Sequence, residues 1–255
     1  MSVASLASPT RRPNPLVAFV RSSIGKKWVV GVSGALLILF VLAHLAGNLT
    51  IYAGAYGEGI NVYAQALHSS PLLLWGARVG LLIVFVVHIF TAVSVVLENR
   101  RARPQRYAVK ARVQSTVFAR TMALSGLVVL SFLVFHVLQF AAGFSTYSHL
   151  YDLEGRHDVA AMIILSFHNP WVSGFYLLSL GLLGMHLSHG ISSVFQTFGL
   201  NGRKSAGLIK HGALFVSWAL MLGFASIPVA SISGYLKVLP DDRRVAPELT
   251  ASAKS

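Results

Sequence analysis

The sequence predicts an all-α integral membrane protein with five transmembrane helices, the first four of which form a bundle. Hydrophobic residues make up 55% of its 255 residues and charged residues only 11%. The apolar residues gather into runs of about twenty or more, the length that a helix needs to cross a bilayer. Soluble proteins distribute their apolar residues over shorter amphipathic elements, so this pattern is typical of a membrane domain.

The transmembrane helices are expected at residues 28–51, 72–97, 121–144, 171–198 and 213–236. They place a membrane domain at 28–236, between an N-terminal tail at 1–27 and a C-terminal tail at 237–255. Pro9, Pro13 and Pro15 favour an extended conformation for roughly the first twenty residues. The first run is too long for a secretory signal and lacks a convincing small-residue cleavage site, so we expect it to remain as a helix.

The distribution of basic residues predicts the orientation. Most of the 21 Lys and Arg residues lie before the first run, between the second and third, or between the fourth and fifth. The connection 53–71 contains no Lys or Arg, and the connection 145–170 contains only Arg156. Basic residues concentrate on the cytoplasmic side, so the N-terminus is expected in the cytoplasm and the C-terminus outside. The net charge of +13 therefore indicates a lipid bilayer as partner, with no nucleic acid.

Cysteine is absent from the chain. The chain therefore forms no disulfide and supplies no thiolate to a c-type haem, a zinc ion or an iron–sulfur cluster. Any redox metal must be held by histidine or by a partner chain.

His44 and His136 each end a repeated stretch, SGALLILFVLAH in the first run and SGLVVLSFLVFH in the third. Both helices are predicted to run outward. At about 1.5 Å per residue, each histidine lies roughly 25 Å from the basic end of its helix. The two imidazoles are therefore expected at one depth, toward the outer surface.

His88 begins an HxxxAxS motif in the second run, and His186 begins an HxxxGxS motif in the fourth. Both helices run inward, and both histidines are expected roughly 15–22 Å from the cytoplasmic boundary. They form a second pair, nearer the cytoplasm. His189 lies on nearly the same face as His186, but the repeat favours His186 as the partner of His88. We expect His189 to bond a backbone carbonyl or a cofactor carboxylate.

Four histidines in the hydrocarbon region, matched two by two in depth, indicate metal ligation, because an intramembrane ionisable side chain needs a compensating partner. Two neutral imidazoles from facing helices can ligate one haem iron from opposite sides and leave no position for a substrate. The pattern predicts two b-type haems that transfer electrons. We expect the outer iron between His44 and His136. The inner iron is expected between His88 and His186.

Two arginines are candidates for contact with haem propionates. Arg78 lies ten residues outward of His88, at the depth of the outer pair. It either pairs with propionates of the outer haem or snorkels to the interface. Arg120 either pairs with propionates of the inner haem or simply belongs to the cytoplasmic set of basic residues.

Three motifs resemble the cytochrome b membrane-anchor subunit of bacterial succinate dehydrogenases and related fumarate reductases, in its single-chain, five-helix, di-haem form. They are HLAGN at His44, the SG-to-histidine interval of the third run, and HLSHGISSVFQTFGLN from His186. The resemblance covers residues 26–236. It implies that the first and third helices hold the distal haem and the second and fourth the proximal haem, which is also the pairing indicated by depth.

The resemblance further implies a role in the respiratory chain and the tricarboxylic acid cycle. A flavoprotein subunit that oxidises succinate and an iron–sulfur subunit would bind on the cytoplasmic side of the bacterial inner membrane. Electrons would pass through the inner and then the outer haem to a quinone, usually menaquinone, and this chain would not itself act on succinate. Some relatives carry a carboxyl group for proton transfer two residues before the axial histidine of the fourth helix. Gly184 occupies that position, so this route is not expected.

Quinone reduction needs an apolar cleft with hydrogen-bonding groups at a membrane boundary. The outer candidates are Glu58, Asn61 and Tyr63, and the inner candidates include Ser33 and His211. We favour the outer side, because an outer haem is best understood as the last carrier before the quinone. The outer groups also fit an interfacial belt of polar and aromatic residues.

Two other classes of protein remain as alternatives. The cytochrome b anchors of hydrogenase, formate dehydrogenase and nitrate reductase also place histidines in a helical bundle. The HxxHG motif and the four matched histidines argue against them. A haem-free transport or assembly protein is the second alternative, and the scarcity of acidic residues and of clearly broken helices in the apolar runs argues against it.

Overall fold

The computed structural model describes residues 14–102 and 117–240, with side chains from residue 121 onward in the second segment. The described residues form eight α-helices and contain no β-strand, only one isolated bridge between Tyr151 and His157. The helices are α1 Pro15–Arg21, α2 Ser23–Leu49, α3 Glu58–His68, α4 Pro71–Arg101, α5 Val117–His136, α6 Val159–Phe167, α7 Pro170–Thr197 and α8 Ala206–Ile232.

Five of these helices, α2, α4, α5, α7 and α8, are long and apolar enough to cross a membrane. This confirms the prediction of five transmembrane helices and a multi-pass membrane protein. The bounds differ in detail: α2 begins at Ser23, and α5 continues after His136 as a π-helical turn, Val137–Ala141. Because the five helices alternate in direction, α3 and α6 lie at one end of the bundle, the α6 end. The opposite end is named the α1 end.

The predicted extended tail is wrong for residues 15–21, which form helix α1. Proline suits the first turn of a helix, where its missing N–H has no partner to lose. Pro15 occupies that position, and the side chain of Asn14 accepts a hydrogen bond from the Leu16 amide at 2.9 Å as an N-cap. The proposed tails at 1–13 and 241–255 and the basic residues of 103–116 lie outside the described residues.

Helices α2 and α7 pack against each other at the centre of the bundle. Helix α4 packs on α2, α5 packs on α7, and α8 lies against both central helices. Small residues allow the close contacts with α8: a Cβ atom at Gly184 would lie 3.0 Å from Met221, and one at Gly223 would lie 2.9 Å from Leu45. Among the described residues, neither α2 with α5 nor α4 with α7 forms an extensive helix contact.

The α6 end is closed by a small apolar core. Helix α6 is nine residues long, and seven of them are buried. Ile164 at its centre packs with Ile51 and Ile60 from the first connection and with Tyr176 of α7. The segment 145–170, expected as a connection, therefore contains a helix that inserts between the ends of the transmembrane helices.

Asn61 and two carboxylates join the two connections at the α6 end. The Asn61 amide donates hydrogen bonds to Asp152 at 3.3 Å and to Asp158 at 3.1 Å, and its oxygen accepts from the Ala160 amide at 2.9 Å. All three side chains are buried. A buried polar cluster of this kind holds α3 in a defined position on α6, since Asn61 loses all three of these hydrogen bonds if the helices separate.

Arg156 lies beside this cluster among three carboxylates. It forms ion pairs with Asp152 at 2.8 Å, Glu154 at 2.9 Å and Glu58 at 3.6 Å. Burial by itself lowers the pKa of Arg156, but the Asp152 hydrogen bond and the three negative charges raise it above its ordinary value. The single basic residue of this connection is therefore neutralised locally.

Candidate functional site

The structure brings His44 of α2 and His136 of α5 together near the α6 end. Their ring centres are 5.8 Å apart, and the ring planes are nearly perpendicular, at 82°. Metal–imidazole bonds are about 2 Å long, so two imidazoles on opposite sides of one ion have ring centres about 6 Å apart. The spacing of this outer pair therefore fits a bis-imidazole site.

Aromatic rings surround the outer pair. Phe40 stacks on the His44 ring at 5.4 Å, and Phe224 of α8 lies 5.7 Å from the same ring. Phe132 and Phe140 lie 5.8 and 5.6 Å from the ring of His136. Such surroundings exclude water and contain no charge, which is the environment that a flat apolar macrocycle requires.

The Tyr176 hydroxyl connects His136 to a second polar group. It donates a hydrogen bond to Oε1 of Gln139 at 2.9 Å and lies 3.2 Å from Nδ1 of His136. A hydroxyl has one proton, so with that proton on Gln139 the oxygen accepts from the Nδ1–H of His136. This assignment leaves Nε2 of His136 unprotonated.

His88 of α4 and His186 of α7, the predicted inner pair, lie toward the α1 end. Each of these histidines contacts the Ser-Gly unit of the preceding transmembrane helix. Nδ1 of His88 lies 3.1 Å from Oγ of Ser33, and Nδ1 of His186 lies 3.3 Å from Oγ of Ser125. Both serines are buried.

The glycine of each Ser-Gly unit leaves room for the imidazole ring. A Cβ atom at Gly34 would lie 3.3 Å from Cε1 of His88, and one at Gly126 would lie 3.6 Å from Cε1 of His186. In both halves of the bundle, the serine of the Ser-Gly motif therefore contacts the histidine of the neighbouring helix, and the glycine leaves room for its ring.

The two histidine levels are separated by the same number of residues on α2 and on α5. Ser33 marks the inner level of α2 and His44 the outer level, eleven residues apart, which is about 16 Å of helix. Ser125 and His136 of α5 have the same interval. The repeat seen in the sequence thus sets the distance between the two levels.

No protein-family model, curated protein or solved structure matches the chain. In the described part of the chain, no three His, Cys, Asp or Glu side chains group as metal ligands. A bis-imidazole haem site needs only two such side chains, and the outer pair meets that requirement by distance.

The other predicted cofactor residues lie as follows. Arg78 is exposed on α4, with its guanidinium 5.1 Å from the ring centre of Trp75. His189 is half-buried and interacts electrostatically with His186. Arg120 belongs to α5, and its side chain lies outside the described residues.

The candidate quinone residues all contact other parts of the chain. The Ser33 hydroxyl lies within hydrogen-bonding distance of His88. Asn61 belongs to the buried cluster with Asp152 and Asp158, and Glu58 forms an ion pair with Arg156. The Tyr63 ring packs on Gly47 so closely that a Cβ atom there would overlap it. The fifth, His211, is exposed at the start of α8 and bonds the Gly207 carbonyl at 2.8 Å.

A pocket of 350 Å³ opens at the α6 end, beside the outer pair's helix α2. Its lining includes Tyr52, Tyr56, Tyr235 and Lys237. Tyr56 has a left-handed backbone, with φ of 56°, which is unusual for a residue other than glycine. None of these pocket residues is among the candidates predicted from the sequence, and the contribution of the segment that follows α8 was missed.

Proposed function

We propose that this chain is the di-haem cytochrome b membrane anchor of a succinate:quinone oxidoreductase. The observation that carries the proposal is the close approach of His44 to His136 at one level, with His88 and His186 held on Ser33 and Ser125 at a second level, eleven residues away along α2 and α5. The sequence motifs at His44 and His186 support the particular family. In this proposal α2 and α5 hold the outer haem, and α4 and α7 hold the inner one.

The chain's own residues hold, orient and shield the cofactors. Each imidazole offers a nitrogen to one iron, the aromatic rings around the outer pair keep water out, and the absence of an extensive α2–α5 or α4–α7 contact among the described residues leaves space between the paired helices. When bound, each haem would supply a one-electron redox couple. The chain therefore conducts electrons and performs no bond chemistry at iron.

The α1 end is proposed to face the cytoplasm and to bind the iron–sulfur subunit, which connects in turn to the flavoprotein. Lys27, Arg100 and Arg101 are exposed at this end, and the adjoining basic loop lies outside the described residues. Positive charge at the boundary suits both the cytoplasmic leaflet and an acidic protein partner.

Quinone, most simply menaquinone, is proposed to be reduced at the α6 end. The 350 Å³ pocket falls within the size range of small-molecule sites, roughly 300–1,000 Å³. The hydroxyls of Tyr56 and Tyr235 and the ammonium group of Lys237 offer hydrogen-bond donors for quinone oxygens, whereas the Tyr52 hydroxyl donates to Ser226. At the α1 end a smaller pocket of 130 Å³ is lined by Lys27 and Glu98. Size favours the α6 end.

Haem content of the purified chain tests the proposal. We expect two low-spin b haems per chain by pyridine haemochrome assay. His44→Ala should remove the outer haem and His88→Ala the inner one, while the exposed His149→Ala serves as a control that keeps both. A haem ratio near zero rejects the proposal, and a ratio near one restricts it to a single pair.

Turnover with the associated subunits tests the quinone site. Tyr235→Phe and Lys237→Ala should lower succinate-to-quinone electron transfer with both haems still bound. Asn99→Ala, at the pocket of the α1 end, is the matched comparison. Loss of turnover in Asn99→Ala alone would move the site to the α1 end.

A further inference from the structure

We propose that Ser33, Ser125 and Tyr176 are positioning residues that fix the orientation and tautomer of three of the four histidines. This inference rests on the proposed function, because the histidines matter in this way only as haem ligands. In each case a hydroxyl oxygen accepts the Nδ1–H of an imidazole and leaves Nε2 with a free lone pair. That nitrogen is then available to iron without loss of a proton.

The contacts of Ser33 define the direction of its hydrogen bond. Its Oγ lies 2.6 Å from the Val29 carbonyl and 3.2 Å from the Val30 carbonyl, and both of these oxygens can only accept. The hydroxyl proton is therefore committed to the backbone of α2. Oγ must therefore accept from Nδ1 of His88 at 3.1 Å.

Ser125 has the same pair of contacts in the second half of the bundle. Its Oγ lies 3.2 Å from the Met122 carbonyl and 3.3 Å from Nδ1 of His186. The serine is only 3% exposed, so no water competes for its lone pairs. Both histidines of the inner pair are thus held by a serine that precedes a glycine on the neighbouring helix.

The outer pair is supported on one side only. Tyr176 accepts from His136, with its own proton on Gln139. His44 has no hydroxyl partner among the described residues, and its ring instead lies beside the Asn48 amide, whose nitrogen is 3.3 Å from both ring nitrogens. The inner site therefore has two fixed ligands and the outer site one.

A hydrogen bond from Nδ1–H makes an imidazole a more basic ligand and orients its ring. A more basic ligand stabilises ferric iron over ferrous iron, which lowers the reduction potential. Removal of the acceptor should therefore raise the midpoint potential of the haem at that level and weaken haem retention, by about 10- to 100-fold as is usual for such partners. The haem at the other level should keep its potential.

The test is a redox titration with low-temperature EPR of the purified protein, in which His44→Ala and His88→Ala first identify the signal of each haem. Tyr176→Phe should raise the potential and shift the low-spin EPR signal of the outer haem alone. Ser33→Ala and Ser125→Ala should do so for the inner haem alone. Ser33→Thr keeps the hydroxyl and should restore the original values.

Matched controls separate this role from general packing. Ser131→Ala removes a hydroxyl from α5 that bonds the Leu127 carbonyl, and Tyr147→Phe removes one that, among the described residues, bonds neither histidine pair; both variants should leave both signals unchanged. Loss of the haem at the assigned level alone supports the proposal. Unchanged potentials, or an effect on the wrong haem, overturn it. A wild-type chain without haem would instead reject the proposed function.

Discussion

Replacement of Asn61 by alanine tests whether the buried cluster at the α6 end holds the fold together. The side chain is 3% exposed and makes three hydrogen bonds, two to the carboxylates of Asp152 and Asp158 and one to the Ala160 amide. A net bond to a charged group is worth about 1.5–3 kcal/mol and a neutral one about 1 kcal/mol. Because the carboxylate bonds are long, at 3.1 and 3.3 Å, the lower values apply. We expect a loss of about 4 kcal/mol.

At roughly 2–4 °C per kcal/mol for a chain of this size, Asn61→Ala should lower the Tm by about 8–16 °C. The measurement is thermal unfolding in nanodiscs by circular dichroism at one fixed scan rate, because membrane proteins often unfold irreversibly. Asn201→Ala, at an exposed position after α7, is the control and should change Tm by less than about 2 °C. An unchanged Tm together with lost quinone turnover would refute the structural role and make Asn61 a quinone contact.

Three further predictions concern packing, topology and docking. Gly223→Val should destabilise the chain by about 1–3 kcal/mol, because its Cβ would meet Leu45 at 2.9 Å, whereas Gly212→Val, with open space at its Cβ, should cost less; paired melting curves measure the difference. In this cysteine-free chain, His149→Cys should react with an impermeant maleimide added outside intact cells, and Lys204→Cys should react only after lysis; the reverse pattern would invert the topology. Crosslinks from Arg101 should reach the iron–sulfur subunit, and crosslinks from the α6 end instead would contradict docking at the α1 end.

The five membrane helices could be predicted from the sequence because each is a long apolar run, and hydropathy needs no tertiary information. Helix α6 could not, because a helix of nine residues is too short to span a membrane and lies within a segment that was expected as a connection. Helix α1 was missed for a different reason. Together with Pro9 and Pro13, Pro15 suggests an extended chain. It is also a favourable first residue for a helix, and here that helix is capped by Asn14.

The approach of His44 to His136 could be anticipated from depth alone, since rise per residue places them at one level. The partners of the histidines needed the structure, because the rotation of each helix about its axis is set by packing. Ser33 was considered for quinone contact and lies instead on His88. Tyr176 had a signal that was not used: it precedes His186 by ten residues, as Arg78 precedes His88.

These intervals identify the repeating unit as a helical hairpin. Helices α2 and α4 form one copy and α5 and α7 the other, and the two helices of each copy pack on each other. The serine of each copy contacts the inner histidine of the same copy, so the supporting contacts are local. In the proposed function each haem would take one histidine from each copy, so neither hairpin alone could form either site.

The two copies differ at one position of this unit, and the difference falls at the outer level. Tyr176 in the second hairpin bonds His136, whereas Arg78, its counterpart in the first, lies exposed on Trp75 and leaves His44 without a hydroxyl partner. A duplicated hairpin with identical supports would build two equivalent levels. Under the proposed function, an Nδ1–H hydrogen bond would make a histidine a more basic ligand, so the outer level, with one such bond against two, would be the one with the higher reduction potential. Electrons that enter at the α1 end would then move toward the α6 end without any further asymmetry in the fold.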